Sequence, residues 1–188
     1  MNETHTISSL CERSALIARE KGWVNDTDPR PYHTAVILFH SEISEALEEY
    51  RKHKELGEVY AGVGGKPEGI PVEIADLVIR ICQRTGTDGH VAQLEAGMAD
   101  HYKTPDGKRD FSKIDFELFL ADLHRAVSLS EQCYDFRDPK RPHLAYLGRA
   151  LVESFLFFED RGIDLWAAID TKEAYNRTRE FRHGGKKI

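Results

Sequence analysis

Apolar residues recur at helical spacing along most of the chain. The segment 7–21 carries apolar residues three or four positions apart and stops at Gly22, a pattern typical of an amphipathic helix. On the same grounds we predict helices over residues 33–55, 71–84, 91–102, 112–134, 143–159 and 165–179. Sustained alternation with hairpin turns is missing from the sequence, so the pattern predicts an all-α helical bundle.

The length of 188 residues favours a single domain, which we place at 1–188. Two short motifs, Gly86-Thr87-Asp88 and Gly162-Ile163-Asp164, each follow an apolar helix and precede an amphipathic one, 76 residues apart. They raise the hypothesis of an internal duplication, with pseudo-repeats at 1–110 and 111–188. The alternative is that the two halves share only what all helical bundles share.

Composition narrows the classes of function. The formal net charge is −6, and basic residues concentrate between Lys172 and Lys187, so the rest of the chain is acidic and we expect no nucleic-acid partner. The apolar runs are too short to cross a bilayer, and the N-terminus lacks the pattern of a secretory signal, which favours a cytoplasmic protein. Three cysteines without a C-x-x-C pair favour reduced, structural thiols.

Acidic residues fall in an unusual place on the second and third predicted helices. Glu42 and Glu45 share a helical stripe with the apolar Leu38, so we expect them to point into the bundle. The third helix is apolar almost all the way round, yet Glu73 and Asp76 interrupt it one turn apart. Burying an unpaired carboxylate destabilises the folded state by roughly several kcal/mol, so we expect a cation near these two acids.

One basic residue, Arg80, lies on the same stripe of that helix and is expected to pair with Asp76, four positions earlier. A single arginine leaves a surplus of negative charge among four carboxylates. Oxygen ligands without His or Cys suit Mg²⁺, or Mn²⁺, better than zinc or copper. The sequence therefore predicts a metal site formed by Glu42, Glu45, Glu73 and Asp76.

These acids carry a family resemblance. Their arrangement, E-x-x-E followed after 27 residues by E-x-x-D, resembles the signature of the all-α, MazG-like nucleoside triphosphate pyrophosphohydrolases. The resemblance extends over about residues 12–84 and 162–187. It includes the segments Lys21-Gly22-Trp23, 40–48, 66–71 and 174–179, and the stretch from His183 to Lys186.

The resemblance implies Mg²⁺-dependent hydrolysis of a nucleoside triphosphate, with a deoxynucleotide as the expected substrate, to the monophosphate and pyrophosphate. Glu45 is our choice for the general base. Basic and polar residues at i, i+4 and i+7 of the last helix are candidates to meet the phosphates: Lys172, Asn176 and Arg179.

Three further features are weaker candidates for substrate binding. Trp23 could stack on a base, although a Trp at a helix end is more often packing. Lys66 in the Gly-rich loop could contact a phosphate, and His183, Lys186 and Lys187 could fold over the nucleotide.

We expect a homodimer, unless a duplicated chain makes within itself the contacts that shorter relatives make between subunits. At the offset of 76 residues the second half would have lost its ligands, since the third helix's acids correspond to Arg149 and Val152.

Two alternatives stay open. A carboxylate-bridged di-iron bundle also places glutamates among four helices, but it uses E-x-x-H motifs, and this sequence offers only Glu180-x-x-His183. A non-catalytic bundle that binds a nucleotide or a partner protein is the second alternative. The Gly-rich loop does not match G-x-x-x-x-G-K-[ST], so a Walker-type NTPase is not supported.

Overall fold

The structure is a computed structural model that describes residues 5–24, 30–52, 55–135, 137–138 and 140–181. Within these residues, two strands of two residues each form an antiparallel hairpin before the third helix: β1 (Tyr60–Ala61) and β2 (Pro67–Glu68). The remainder of the regular structure is helical. The prediction of an all-α bundle is confirmed. The helices are α1 (Ile7–Glu20), α2 (Tyr32–Arg51), α3 (Ile70–Asp88), α4 (Val91–His101), α5 (Phe116–Gln132), α6 (His143–Glu159) and α7 (Leu165–Thr178).

Helix boundaries differ from the sequence prediction where local chemistry overrides periodicity. Helix α3 continues through Gly86, which we expected to break it, because a Cβ at Gly86 would lie 2.4 Å from the Cys11 carbonyl oxygen of α1. This glycine serves close helix packing and does not end the helix. Helix α5 begins at Phe116, later than predicted, since the side chain of Asp115 accepts a hydrogen bond from Leu118 N at 2.7 Å and caps the helix there.

Helix α3 lies at the centre of the N-terminal part of the bundle. It packs against α1, α2 and α7, which explains why it is apolar on nearly every side. In the same way α6 packs against both α4 and α5, where Phe119 and Phe157 stack with centroids 4.0 Å apart. Contacts between α2 and α5 join the two groups of helices into one core.

The hairpin between α2 and α3 returns the chain to the start of α3. Gly69 has a φ of 123° and lies so close to the preceding loop that an added Cβ would be 2.1 Å from the Glu58 carbonyl oxygen. Pro71 then occupies the first turn of α3, where a missing amide hydrogen costs nothing. This turn brings Lys66 of the hairpin over the first turns of α3.

The described helices include none with both the length and the apolar composition needed to cross a bilayer. Cys11, Cys82 and Cys133 are free thiols, and the first two are fully buried.

Candidate metal and phosphate site

Three carboxylates meet between α2 and α3. Glu42 projects from α2, Glu73 and Asp76 project from the first two turns of α3, and one oxygen from each lies within 4.8 Å of the others. Glu42 and Glu73 are only 2% and 3% exposed, whereas Asp76 is partly exposed. Because residues three apart share a helix face, α3 presents both of its acids to α2. Three hard oxygen donors in this arrangement suit a divalent cation such as Mg²⁺.

Glu45, the fourth predicted ligand, lies outside this cluster. It is exposed one turn after Glu42, accepts a hydrogen bond from the Ser41 hydroxyl at 3.0 Å, and lines the same cavity as Glu42 and Asp76. The prediction that it points into the bundle is therefore wrong, because its side chain lies on an exposed side of α2, at the cavity. Its place at the cavity still allows contact with a ligand there.

Basic side chains pair with each of the three clustered acids. Arg80 Nε donates to Glu42 Oε1 over 2.5 Å, and Lys172 Nζ of α7 lies 2.6 Å from Asp76 Oδ2. The expected pairing of Arg80 with Asp76 is thus wrong: Arg80 reaches across to α2, and α7 supplies the partner of Asp76.

The third acid has a looser partner. Lys66 Nζ lies 3.7 Å from Glu73 Oε1, an ion-pair distance that brings the hairpin over the start of α3. Tertiary packing therefore places basic side chains of other elements beside the acids of α3, and the spacing of residues along one helix does not predict these partners.

Burial changes the proton affinity of two of these acids. It raises the pKa of Glu42 to about 7, against the opposing effect of Arg80, and neighbouring acids add to the shift. It also raises the pKa of Glu73 to about 7, partly offset by Lys172. Carboxylates with a pKa near neutrality exchange a proton for a metal ion close to physiological pH.

An orphaned oxygen supports the fit of a cation here. Glu73 Oε2 is buried, and no described residue makes a hydrogen bond to it. A buried carboxylate oxygen without a partner is costly, and a metal ligand bond is one way to satisfy it. The donor set of Glu42, Glu73 and Asp76 therefore fits a hard divalent cation.

Two of the clustered acids, Glu42 and Asp76, line a cavity of about 350 Å³ together with Glu45. Five basic residues line it, so the surplus of negative charge expected from the sequence is not present among the described residues at this site. A lining that combines basic and acidic side chains suits a metal-bound polyanion better than either ion alone. The basic lining residues are Arg30, Lys66, Arg80, Lys172 and Arg179.

A second, more apolar cavity of about 210 Å³ adjoins the first. Ala35, Leu38 and Phe39 of α2 form its apolar wall, and Trp23 lines both cavities. The position of Trp23 follows from its sequence, because Gly22 takes a φ of 74° and Trp23 N donates to the Ala18 carbonyl at 2.8 Å, which ends α1 in a Schellman motif. Trp23 therefore lies at the boundary between the two cavities.

The three candidates predicted on the last helix divide between cavities. Arg179 lies just beyond the end of α7 in extended backbone, so the prediction that all three share one helix face is wrong for Arg179. Lys172 is 1% exposed and forms an ion pair with Asp76, so its charge neutralises a carboxylate of the cluster. Arg179 lines the large cavity, and burial lowers the pKa of its guanidinium below the usual value. Asn176 lines a smaller cavity of about 90 Å³ together with Arg179.

Several predictions for the C-terminus fall beyond what can be described. His183, Lys186 and Lys187 lie outside the described residues. Glu180, the acid of the E-x-x-H motif, is exposed beyond the end of α7. The described part of that motif therefore gives no support to a di-iron centre inside the bundle.

Sequence reasoning missed two residues at the cavities. Arg30 lines both larger cavities, and its position in a turn-rich segment gave no periodic signal. Gln83 also lines both, and the signal for it was present, since it lies on the Glu73 stripe of α3.

A second group of buried acids lies between α5 and α6. Asp122 accepts hydrogen bonds from Arg109 and Arg125, and Glu153 accepts one from Arg149 at 3.0 Å. Asp122 and Glu153 each follow an acid of the first cluster by 80 residues, a different offset from the 76 of the glycine motifs. Arginines neutralise this second pair, and the internal duplication stays a prediction.

Comparisons with protein families, with curated proteins and with solved structures found no match for this chain.

Proposed function

We propose that the protein hydrolyses a nucleoside triphosphate, with a deoxynucleoside triphosphate as the expected substrate, to the monophosphate and pyrophosphate in a Mg²⁺-dependent reaction. The observation that carries the proposal is the cluster of Glu42, Glu73 and Asp76, whose oxygens lie within 4.8 Å of one another. The cavity beside it is lined by basic residues and adjoins an apolar cavity. The resemblance of the E-x-x-E and E-x-x-D motifs to MazG-like enzymes supports the same reaction.

The residues divide the work between metal and substrate. Glu42, Glu73 and Asp76 would hold Mg²⁺, or Mn²⁺, with Glu45 free to contribute from the cavity wall. A divalent ion at this place neutralises the triphosphate and makes a bound water more acidic. The two acids with a raised pKa lose their protons when they bind a metal ion.

Basic residues and Trp23 would position the substrate. Arg179, Lys66 and Arg30 face the large cavity and supply charge-assisted hydrogen bonds to phosphate oxygens. Trp23 offers a ring for stacking at the boundary with the apolar cavity. Asn176, which lies beside Arg179, adds a neutral hydrogen-bonding group.

In the chemical step, the oxygen of a water molecule forms a bond to the α-phosphorus, and the bond from that phosphorus to the bridging oxygen of the β-phosphate breaks. Pyrophosphate leaves with the electron pair of that bond. Glu45 accepts the proton of the attacking water, because it lies on the cavity wall outside the cluster.

The test is pyrophosphate release from a panel of dNTPs and NTPs with Mg²⁺, with Mn²⁺ and with EDTA, with identification of the nucleotide product. We expect monophosphate and pyrophosphate only when metal is present. Diphosphate with orthophosphate, or turnover in EDTA, would contradict the proposal.

One observation favours a second candidate function, a non-catalytic module that binds a nucleotide. Arg80 and Lys172 already neutralise Glu42 and Asp76 at 2.5 and 2.6 Å, so the cavity can receive an anion without a metal ion. Nucleotide binding that is unchanged by EDTA, together with no turnover of any nucleotide in the panel, would support this function.

The resemblance also leads us to propose a cytoplasmic homodimer. Sedimentation equilibrium at several protein concentrations tests the dimer directly. A monomer at all concentrations would instead fit a chain whose two halves make the contacts of a dimer internally.

A further inference from the structure

The ends of α1 and α7 lie side by side, and Lys21 joins them. Lys21 directly follows α1, and its ammonium donates to the carbonyl oxygens of Arg177 at 2.7 Å and Arg179 at 2.6 Å. The last carbonyl groups of a helix lack partners within the helix and carry partial negative charge, so a cation stabilises them. The side chain of Lys21 thus caps the end of α7.

The next residue makes a second contact with the same segment. Gly22 has a φ of 74°, and an added Cβ there would lie 2.1 Å from Phe181 Cζ. The ring of Phe181 therefore lies directly against the Gly22 backbone. We call residues 177–181 the C-terminal strap, since Lys21 holds its beginning and Gly22 receives its end.

The strap carries one of the proposed phosphate ligands. Helix α7 ends at Thr178, and Arg179 has extended backbone angles, with φ −70° and ψ 147°. The direction of the Arg179 side chain therefore depends on where this extended backbone is fastened, and its guanidinium also lies over the ring of Tyr175 of α7, 5.7 Å from the ring centroid. From there the side chain lines the large cavity and also the small one beside Asp76 and Arg80.

We infer that Lys21 is a positioning residue, which anchors the C-terminal strap and thereby holds the Arg179 guanidinium at the phosphate cavity. This inference rests on the proposed function for the role of Arg179. The anchoring itself is independent of that function, because it consists of hydrogen bonds between Lys21 and two backbone carbonyls. The segment Lys21-Gly22-Trp23 then serves both parts of a nucleotide: Trp23 faces the apolar cavity, and Lys21 fixes the arginine for the phosphates.

The test is a double-mutant cycle on the full chain, read out by calorimetric binding of inorganic tripolyphosphate with Mg²⁺. We expect Lys21→Met to weaken binding about tenfold, because an unanchored strap no longer holds Arg179 in place and one hydrogen bond from Arg179 to a charged phosphate is lost. Arg179→Ala should weaken it to a similar extent, and the double variant should be no weaker than Arg179→Ala alone. Lys21→Arg, which retains charge and two donors, should restore most of the binding.

Hydrogen exchange provides a readout that does not involve the ligand. The amides of the strap should exchange faster in Lys21→Met than in the wild-type protein, and at the wild-type rate in Arg179→Ala. The matched control is Lys103→Met, because Lys103 also follows the end of a helix, is 74% exposed and pairs only locally with Asp100 among the contacts described for it. It should change neither binding nor strap exchange.

The outcomes separate the two proposals. If Arg179→Ala weakens binding but Lys21→Met does not, or if their effects add fully, the positioning role is overturned and the proposed function stands. If Arg179→Ala leaves binding unchanged, the phosphate role of Arg179 is overturned, and with it the inference about Lys21. Unchanged strap exchange in Lys21→Met would overturn the anchor itself.

Discussion

Arg80 Nε donates a hydrogen bond to Glu42 Oε1 across 2.5 Å, so a cation of α3 pairs with an acid of α2 at the proposed metal cluster. The pair links the two helices that carry all the clustered carboxylates. Its arginine also lines both larger cavities. The same contact therefore stabilises the helix interface and shapes the proposed site.

Neutralising a clustered acid should abolish turnover while the fold stays helical. We expect Glu42→Gln or Asp76→Asn to lower Mg²⁺-dependent pyrophosphate release by at least about 100-fold, because even outer partners of metal ligands contribute about 10 to 100-fold. Circular dichroism should show wild-type helix content. Glu48→Gln, at an exposed acid of the same helix, is the matched control and should retain activity. A near-wild-type rate in either cluster variant would make the metal assignment wrong.

Metal binding should strengthen as pH rises through 7. Burial raises the pKa of Glu42 and of Glu73 to about 7, so below that pH a metal ion must displace protons from both. For each proton displaced, affinity should increase up to about tenfold per pH unit until pH passes the pKa. Calorimetric titration with Mn²⁺ at pH 6, 7 and 8 measures this, and an affinity independent of pH would contradict it.

Without metal, the same burial should lower the free energy of unfolding as pH rises, whereas the affinity for metal increases with pH. A carboxyl whose pKa is raised in the folded state contributes stability below its unfolded pKa, about 4.5, and this is lost as pH rises through about 7. In EDTA at pH 8, Glu73→Gln should therefore be more stable than wild type by about 1 to 3 kcal/mol. At pH 5 the difference should nearly vanish. Urea unfolding at both pH values measures it, and equal stabilities at pH 8 would rule out an unfavourable buried charge.

Removing the partner of Glu42 should cost stability. Arg80→Met leaves a buried acid without its cation, which typically destabilises a protein by about 3 kcal/mol. The loss should be larger at pH 8 than at pH 6, where Glu42 can take up a proton. Combining Arg80→Met with Glu42→Gln should recover part of the stability. If the double variant is as unstable as Arg80→Met alone, the cost comes from lost packing and not from charge.

A histidine on α6 should make the protein sensitive to acid. Burial lowers the pKa of His143, which packs edge-on against the stacked rings of Tyr32 and Tyr134, to about 4. Since the unfolded state takes up the proton first, stability is complete above about pH 6.5 and falls towards pH 4, by roughly 3 kcal/mol. His143→Phe should remove this part of the pH dependence in unfolding experiments. His33→Asn, at an exposed position, is the control, and an unchanged acid transition in His143→Phe would contradict the assignment.

Periodicity predicted the helices well because it records which face of each segment is buried. It failed where one contact decided the outcome. Gly86 was expected to end α3. The helix instead continues through it, and the reason for a glycine there is visible only in the packing of α1, because a Cβ on residue 86 would lie 2.4 Å from the Cys11 carbonyl oxygen. Glu45 was expected inside, since its stripe includes apolar residues, but whether a stripe is covered depends on the neighbouring helix.

Sequence by itself determined the all-α class and the presence of acids in the buried faces of α2 and α3, because both follow from residue spacing along single helices. Only the tertiary structure decided which charges meet. Arg80 pairs with Glu42 on another helix, Lys172 reaches Asp76 from the far end of the chain, and Lys21 caps α7. These contacts join residues that lie from 38 to 158 positions apart, and such separations leave no periodic signal in a sequence.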